Sequence, residues 1–193
     1  MNQKTDVRRI AFLGLMTALV FAGNWARIML PVPVGGIPSF TLANILCVLS
    51  GLLFGPAGGI ASGLGSALYD LTNPAWAAES WITLLTKGAM GLTAGAAAAL
   101  GRGARRERPA SYRRCLAAAA AGCLAYYVLY YLKNFFYNGM LLGGLQPGAA
   151  AAALLALIPT SLFNGGLAIA AAPPLAIAIR AALERSGLTL RRA

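Results

Sequence analysis

Asn44, Asp70, Lys87, Tyr131, Asn134 and Asn164 stand in stretches that are otherwise almost wholly apolar. A carboxylate, an ammonium and buried amides in such surroundings cost several kcal/mol each unless they are paired or face water. They therefore mark a binding site or a structural network. Amides and hydroxyls read the edges of a polar ligand, and tyrosine faces stack on flat rings. Together they suit a small, polar, heteroaromatic molecule. The chemistry is binding rather than catalysis. The chain has no histidine, which removes zinc protease motifs, Ser-His hydrolases and histidine proton relays. Asp70, Glu79 and Lys87 are the general acid–base groups a membrane-embedded enzyme would need, but they form no paired-carboxylate motif. Cys47, Cys115 and Cys123 lack metal-ligand or paired spacing and read as small apolar residues. No Walker A or GxGxxG pattern is present, so no energy-coupling chemistry resides in this chain. No catalytic residue, metal site or cofactor is assigned.

The elements that position these residues must cross a bilayer. Of 193 residues, 59% are hydrophobic and 11% are charged, against about a quarter charged in a soluble domain. The expectation is an all-α integral membrane protein with six transmembrane helices in a single domain, 10–185. It is flanked by a polar lead, 1–9, and a basic tail, 186–193. Spans are expected at about 10–30, 39–54, 56–73, 81–101, 115–136 and 149–182. A signal peptide is the rival reading of the first, but apolar character continues to Leu30. Phe54-Gly55-Pro56 folds spans two and three into a hairpin, since proline lacks the N–H and glycine is free to turn. The last span exceeds one perpendicular helix, and Pro159 or Pro173-Pro174 kinks or divides it. PVPVGGIP, 31–38, is a structured or hinged loop.

Orientation follows from arginine and lysine. A formal net charge of +11 is explained by cytoplasmic loops more simply than by nucleic acid, which is not an expected partner. With both termini cytoplasmic, the lead, the loop 101–114 and the end of the chain hold thirteen of the sixteen Lys and Arg residues. Arg27, Lys87 and Lys133 are left in the outer halves of their spans. The polar ends of spans one to five then reach one outer layer, with Asn164 below them. Asp70 and Lys87 are candidates to pair with each other when the site is empty. Trp76, Trp81, Tyr126 and Tyr137 read best as an interfacial belt, with Lys133 snorkelling to the surface.

Small residues recur at four-residue spacing on three spans: Gly14, Ala18, Ala22 and Ala26; Gly55, Gly59, Gly63 and Ala67; Gly91, Gly95 and Ala99. Such faces more often knit a protein's own bundle than recruit a partner.

LANILCVLSGLLFGPAGGIASGLGSALYDLTNP, followed by WITLLTKGAMGLTAG, resembles an S component of an energy-coupling factor (ECF) vitamin transporter, in the broad riboflavin-type group. The likeness covers the first hundred residues well; spans five and six agree only in hydropathy. The resemblance implies a multi-pass protein of the bacterial cell membrane that captures a vitamin or vitamin precursor at the outer face. ATP-driven uptake would come from partners, namely a transmembrane coupling subunit and two cytoplasmic ATPases. It also implies that Gly14, Ala18, Ala22 and Ala26 contact the coupling subunit and that PVPVGGIP closes the site. The alternatives are a ligand-free membrane assembly subunit and a membrane-embedded enzyme.

The charge pattern generates a topological test. On a cysteine-free background, Arg106→Cys should be labelled from the cytoplasm and Trp76→Cys from outside; the reverse would place the polar layer on the cytoplasmic side.

Overall fold

The computed structural model describes residues 3–29, 39–100 and 111–187. The expected lid, 31–38, and most of the basic loop and tail lie outside the described residues. Seven α-helices form the bundle: α1 Gln3–Trp25, α2 Ala43–Phe54, α3 Gly58–Leu71, α4 Ser80–Ala99, α5 Tyr112–Leu132, α6 Pro147–Leu155 and α7 Ile158–Arg185. A π-helical segment, Lys133–Leu142, continues α5. Two short strands, β1 Arg27–Met29 and β2 Ser39–Thr41, pair antiparallel with Ile28 opposite Phe40.

The chain runs up and down. Val20 packs on Gly65, while Ser50 and Cys47 of α2 bond back to Gly58 and Ser62 of α3, so α2 and α3 form the expected hairpin. Its corner is the short helical turn Gly55–Ala57, entered at Gly55 with φ +67°, a conformation only glycine adopts without strain. Helix α2 is wrapped by α1, α3, α4, α5 and α7 and is buried along most of its length. Apolar side chains cover the outside: Leu15, Ile60, Leu85, Leu124, Leu162 and Phe163 are exposed, as lipid solvation requires.

Several boundaries differ from the expected spans. The first helix starts earlier and stops at Trp25, because Arg27 to Met29 leaves to pair with β2. The second begins at Ala43, since 39–41 is strand. Among the described residues, four stretches are long and apolar enough to cross a membrane: Val7–Trp25, Ala43–Leu71, Tyr112–Leu142 and Ile158–Arg185. The second of these is the folded hairpin, whose helices have 12 and 14 residues, each short of the roughly 20 that cross a bilayer unaided. The expected sixth span, 149–182, is divided. It breaks at Ala156-Leu157, just before Pro159, which sits in the first turn of α7 where its missing N–H costs nothing. Pro173-Pro174 does not divide it; α7 continues through both.

The small-residue faces have different fates. On α3 and α4 they hold the bundle together. A Cβ added at Gly95 would collide with the Gly55 carbonyl, and one at Gly59 would lie 2.7 Å from the Gly88 carbonyl. Gly14, Ala18 and Ala22 on α1, and Ala26 just past its end, are all exposed, and nothing lies within 4 Å of a Cβ built on Gly14. Met16, Val20 and Asn24 point inward instead.

This contrast predicts opposite responses to one methyl group. Gly95→Ala should destabilise the purified protein by about 1–3 kcal/mol through overpacking. Gly14→Ala should leave stability level or raise it by up to about 1 kcal/mol. Thermal melts of the two variants check the sign of each.

Candidate functional site

The alternating chain direction brings one end of every long helix together. The C-terminal ends of α1, α3 and α5 meet the N-terminal ends of α2, α4 and α7. At the other end lie Arg8, Arg9, Arg113, Arg114 and Arg185. The polar end encloses a cavity of about 430 Å³, within the range of small-molecule sites.

Asn44, Asp70, Lys87, Asn134 and Asn164 all line this cavity. Tyr131 does not; its ring lies against Tyr127 and Tyr130 on the same helix. Lys87 is 6% exposed and donates to the Asn44 side-chain oxygen, with its ammonium 4.2 Å from the centre of the Tyr126 ring. The Asp70–Lys87 pair anticipated for an empty site does not form. Asp70 instead lies beside the Thr83 hydroxyl, one turn before Lys87 on α4. Lys87 turns toward α2 and α5, where an amide and an aromatic face take its charge. The ion pair among the described residues is Lys133 with Glu79. Lys133 is thus held at the cavity wall and does not snorkel.

Asn164 and Asn24 act partly as struts. The Asn164 side-chain oxygen accepts from the Thr41 N–H at 3.2 Å, and its amide donates to the Ser39 carbonyl at 2.7 Å. One side chain so replaces a neighbouring strand and ties β2 to α7. Asn24 donates to Val20 O at 2.9 Å and accepts from Arg27 at 3.0 Å. The guanidinium of Arg27 lies 4.9 Å from the Tyr69 ring centre and 4.6 Å from that of Trp76.

Aromatic groups supply much of the wall. Tyr126 and Tyr130 are stacked, with ring centres 5.6 Å apart and planes 27° apart, and Tyr127 adjoins them. The belt assignment of Trp76 and Tyr126 is corrected here, because both face the cavity. Trp81, 57% exposed and edge-on to Tyr137, keeps the character of an interfacial residue. The signal that could have found Tyr126 and Tyr130 is their spacing. At i, i+4, and with Asn134 four further on, they share one face of α5. The π-helical winding then presents Lys133, Asn134 and Asn138 to the cavity together. Thr160 and Ser161, at the start of α7, were not singled out; their position depends on the break before Pro159.

Three buried polar atoms on cavity-lining residues have no partner: Arg27 Nε, the Tyr127 hydroxyl and the Asn138 side-chain oxygen. Two donors and an acceptor left open around a polar cavity suit the edges of a ligand. Among the described residues, no group of three Cys, Asp or Glu side chains is placed to hold a metal ion.

Residues 4–181 match the model of the family described as "ECF-type riboflavin transporter, S component". No curated protein matched. Among solved structures, one reported as "Structure and mechanism of the S component of a bacterial ECF transporter" superposes with a TM-score of 0.60 at 14% identity. The match covers 93% of this chain and 97% of that one, a likeness of fold. With the family match extending over nearly its whole length, the chain belongs to the ECF-type riboflavin transporter S component family.

Proposed function

We propose that this protein is the substrate-capturing subunit of an ECF-type importer in the bacterial cell membrane, binding a vitamin or vitamin precursor in the 430 Å³ cavity. The observation that carries this reading is the sorting of the chain's polarity, with the amide-and-tyrosine cavity at one end and Arg8, Arg9, Arg113, Arg114 and Arg185 at the other. Under the positive-inside rule, the cavity opens outward and both termini lie in the cytoplasm. The up-and-down chain is then six crossings. α6 and the π-helical segment pack on each other at the outer rim rather than adding another crossing. Asn44, Asp70, Lys87 and Asn134 are wall residues, and Asn164 is the floor and the tie to β2. Tyr131 supports Tyr127 and Tyr130 from behind.

The exposed ladder Gly14, Ala18, Ala22 and Ala26 is the face for the transmembrane coupling subunit, through which two cytoplasmic ATPases drive uptake. Its outward direction supports this use over internal packing. The loop 31–38, between β1 and β2, is the closing segment.

Titrating purified protein against the water-soluble vitamins and their precursors tests the reading; it predicts saturable binding of at least one. Asn44→Ala removes the acceptor of Lys87, and Asn134→Ala that of the Asn138 amide. Each should weaken that binding about five- to a hundred-fold. Melts close to that of the parent protein would show the loss to be local. Unchanged affinity in both, with the fold intact, would make the polar layer scaffold.

Replacing both Ala18 and Ala22 with leucine separates capture from delivery. Ligand binding to the isolated protein should persist while uptake and co-purification with the coupling subunit are lost. Intact uptake would assign the ladder to lipid contact.

A further inference from the structure

We infer that the cavity selects a ligand carrying one negative charge, such as a small flat carboxylate; the inference rests on the capture reading above. Arg27, Lys87 and Lys133 line the cavity against two carboxylates, Asp70 and Glu79. Glu79 is committed to Lys133. Asp70 is within electrostatic reach of Arg27, Lys87 and Lys133 but forms an ion pair with none of them, so by formal charge the lining carries one positive charge in excess.

Among the described residues, no other acidic residue lies at the cavity end. The chain's five acidic residues are Asp6, Asp70, Glu79, Glu107 and Glu184. Asp6 is in the first turn of α1 and Glu184 in the last turn of α7, both at the opposite end of the bundle. Glu107 lies in sequence between the far ends of α4 and α5. Residues 30–38, which connect the two strands at the cavity end, contain no charged residue.

Lys87 and Arg27 are both poised for an anion. The direct contacts of the Lys87 ammonium are with neutral groups, the Asn44 oxygen and the Tyr126 face. Arg27 keeps a buried Nε without a partner. An unpaired buried charge is costly, and a ligand carboxylate would relieve that cost at the moment of binding. The stacked Tyr126 and Tyr130 beside Lys87 fit a ring attached to that carboxylate. A neutral ligand of the same shape would leave the excess charge in place.

Matched pairs of probes test this on purified, full-length protein by calorimetric titration. They are nicotinate with nicotinamide, biotin with biotinamide and pantothenate with panthenol, with riboflavin as a neutral tricyclic reference. In whichever pair binds, the acid should bind about ten- to a hundred-fold more tightly than its neutral partner. Lys87→Met, which keeps the length of the side chain, should bring the two within about threefold, while Lys87→Arg should preserve the preference. Should Lys87→Met fail to fold, Arg27→Gln provides the second reading and should narrow the same gap. Preference for the neutral member, equal affinities within the binding pair, or binding of riboflavin alone would overturn the charge inference and leave the capture reading standing. Absence of saturable binding by every probe, across the water-soluble vitamins as well, would overturn both.

Discussion

The constraint on which the structure turns is the buried ammonium of Lys87. A charge taken from water into a bundle costs several kcal/mol unless its surroundings answer it. Here the answers come from two other helices, Asn44 of α2 through its side-chain oxygen and Tyr126 of α5 through its ring face. Three helices are so tied at the depth where the cavity begins. The contact joins Lys87 to neutral groups rather than to a carboxylate, so the tie is not a closed ion pair.

The tie works because α4 approaches its neighbours closely. Gly91 and Gly95 on α4 face Gly58, Gly59 and Gly55 on the hairpin with backbone against backbone. Ser50 and Ser62 fill the remaining space and bond to the Gly58 carbonyl at 2.9 Å. In lipid there is little hydrophobic gain from pressing helices together, so close packing and such bonds must do it. The half of the bundle opposite the cavity is accordingly dry and tight. Arg180 of α7 extends the same logic by donating to the Leu52 carbonyl near the end of α2.

The half that holds the cavity is held together differently. Its connections run through polar side chains: Asn164 bonds the backbone of Ser39 and Thr41 across the chain, and Asn24 donates to the Ser66 hydroxyl and accepts from the Arg27 guanidinium. These contacts order the short β1–β2 pair between which the loop 31–38 runs. One amide side chain that lines the cavity, Asn164, thereby ties α7 to β2.

Hydropathy and charge by themselves determined the helical class, the hairpin at Phe54-Gly55-Pro56 and the gathering of polar residues at the end away from the arginines. Each is a one-dimensional consequence of the cost of polar groups in lipid and of proline's missing N–H. Five of the six residues singled out in the sequence line the cavity for the same reason, because a polar side chain in an apolar run has few places to go. Tertiary structure alone decided which partner each one takes. Whether Lys87 meets Asp70 or Asn44 depends on the rotation of α4 against α2, set by glycine contacts across the bundle. Whether Tyr131 or Tyr126 faces the cavity depends on the rotation of α5, which leaves Tyr126 and Tyr130 inward. The three small-residue ladders, alike in spacing, were separated only by packing. Those of α3 and α4 are occupied by each other's backbones, and that of α1 is left open because Val20 and Asn24 claim its inward face.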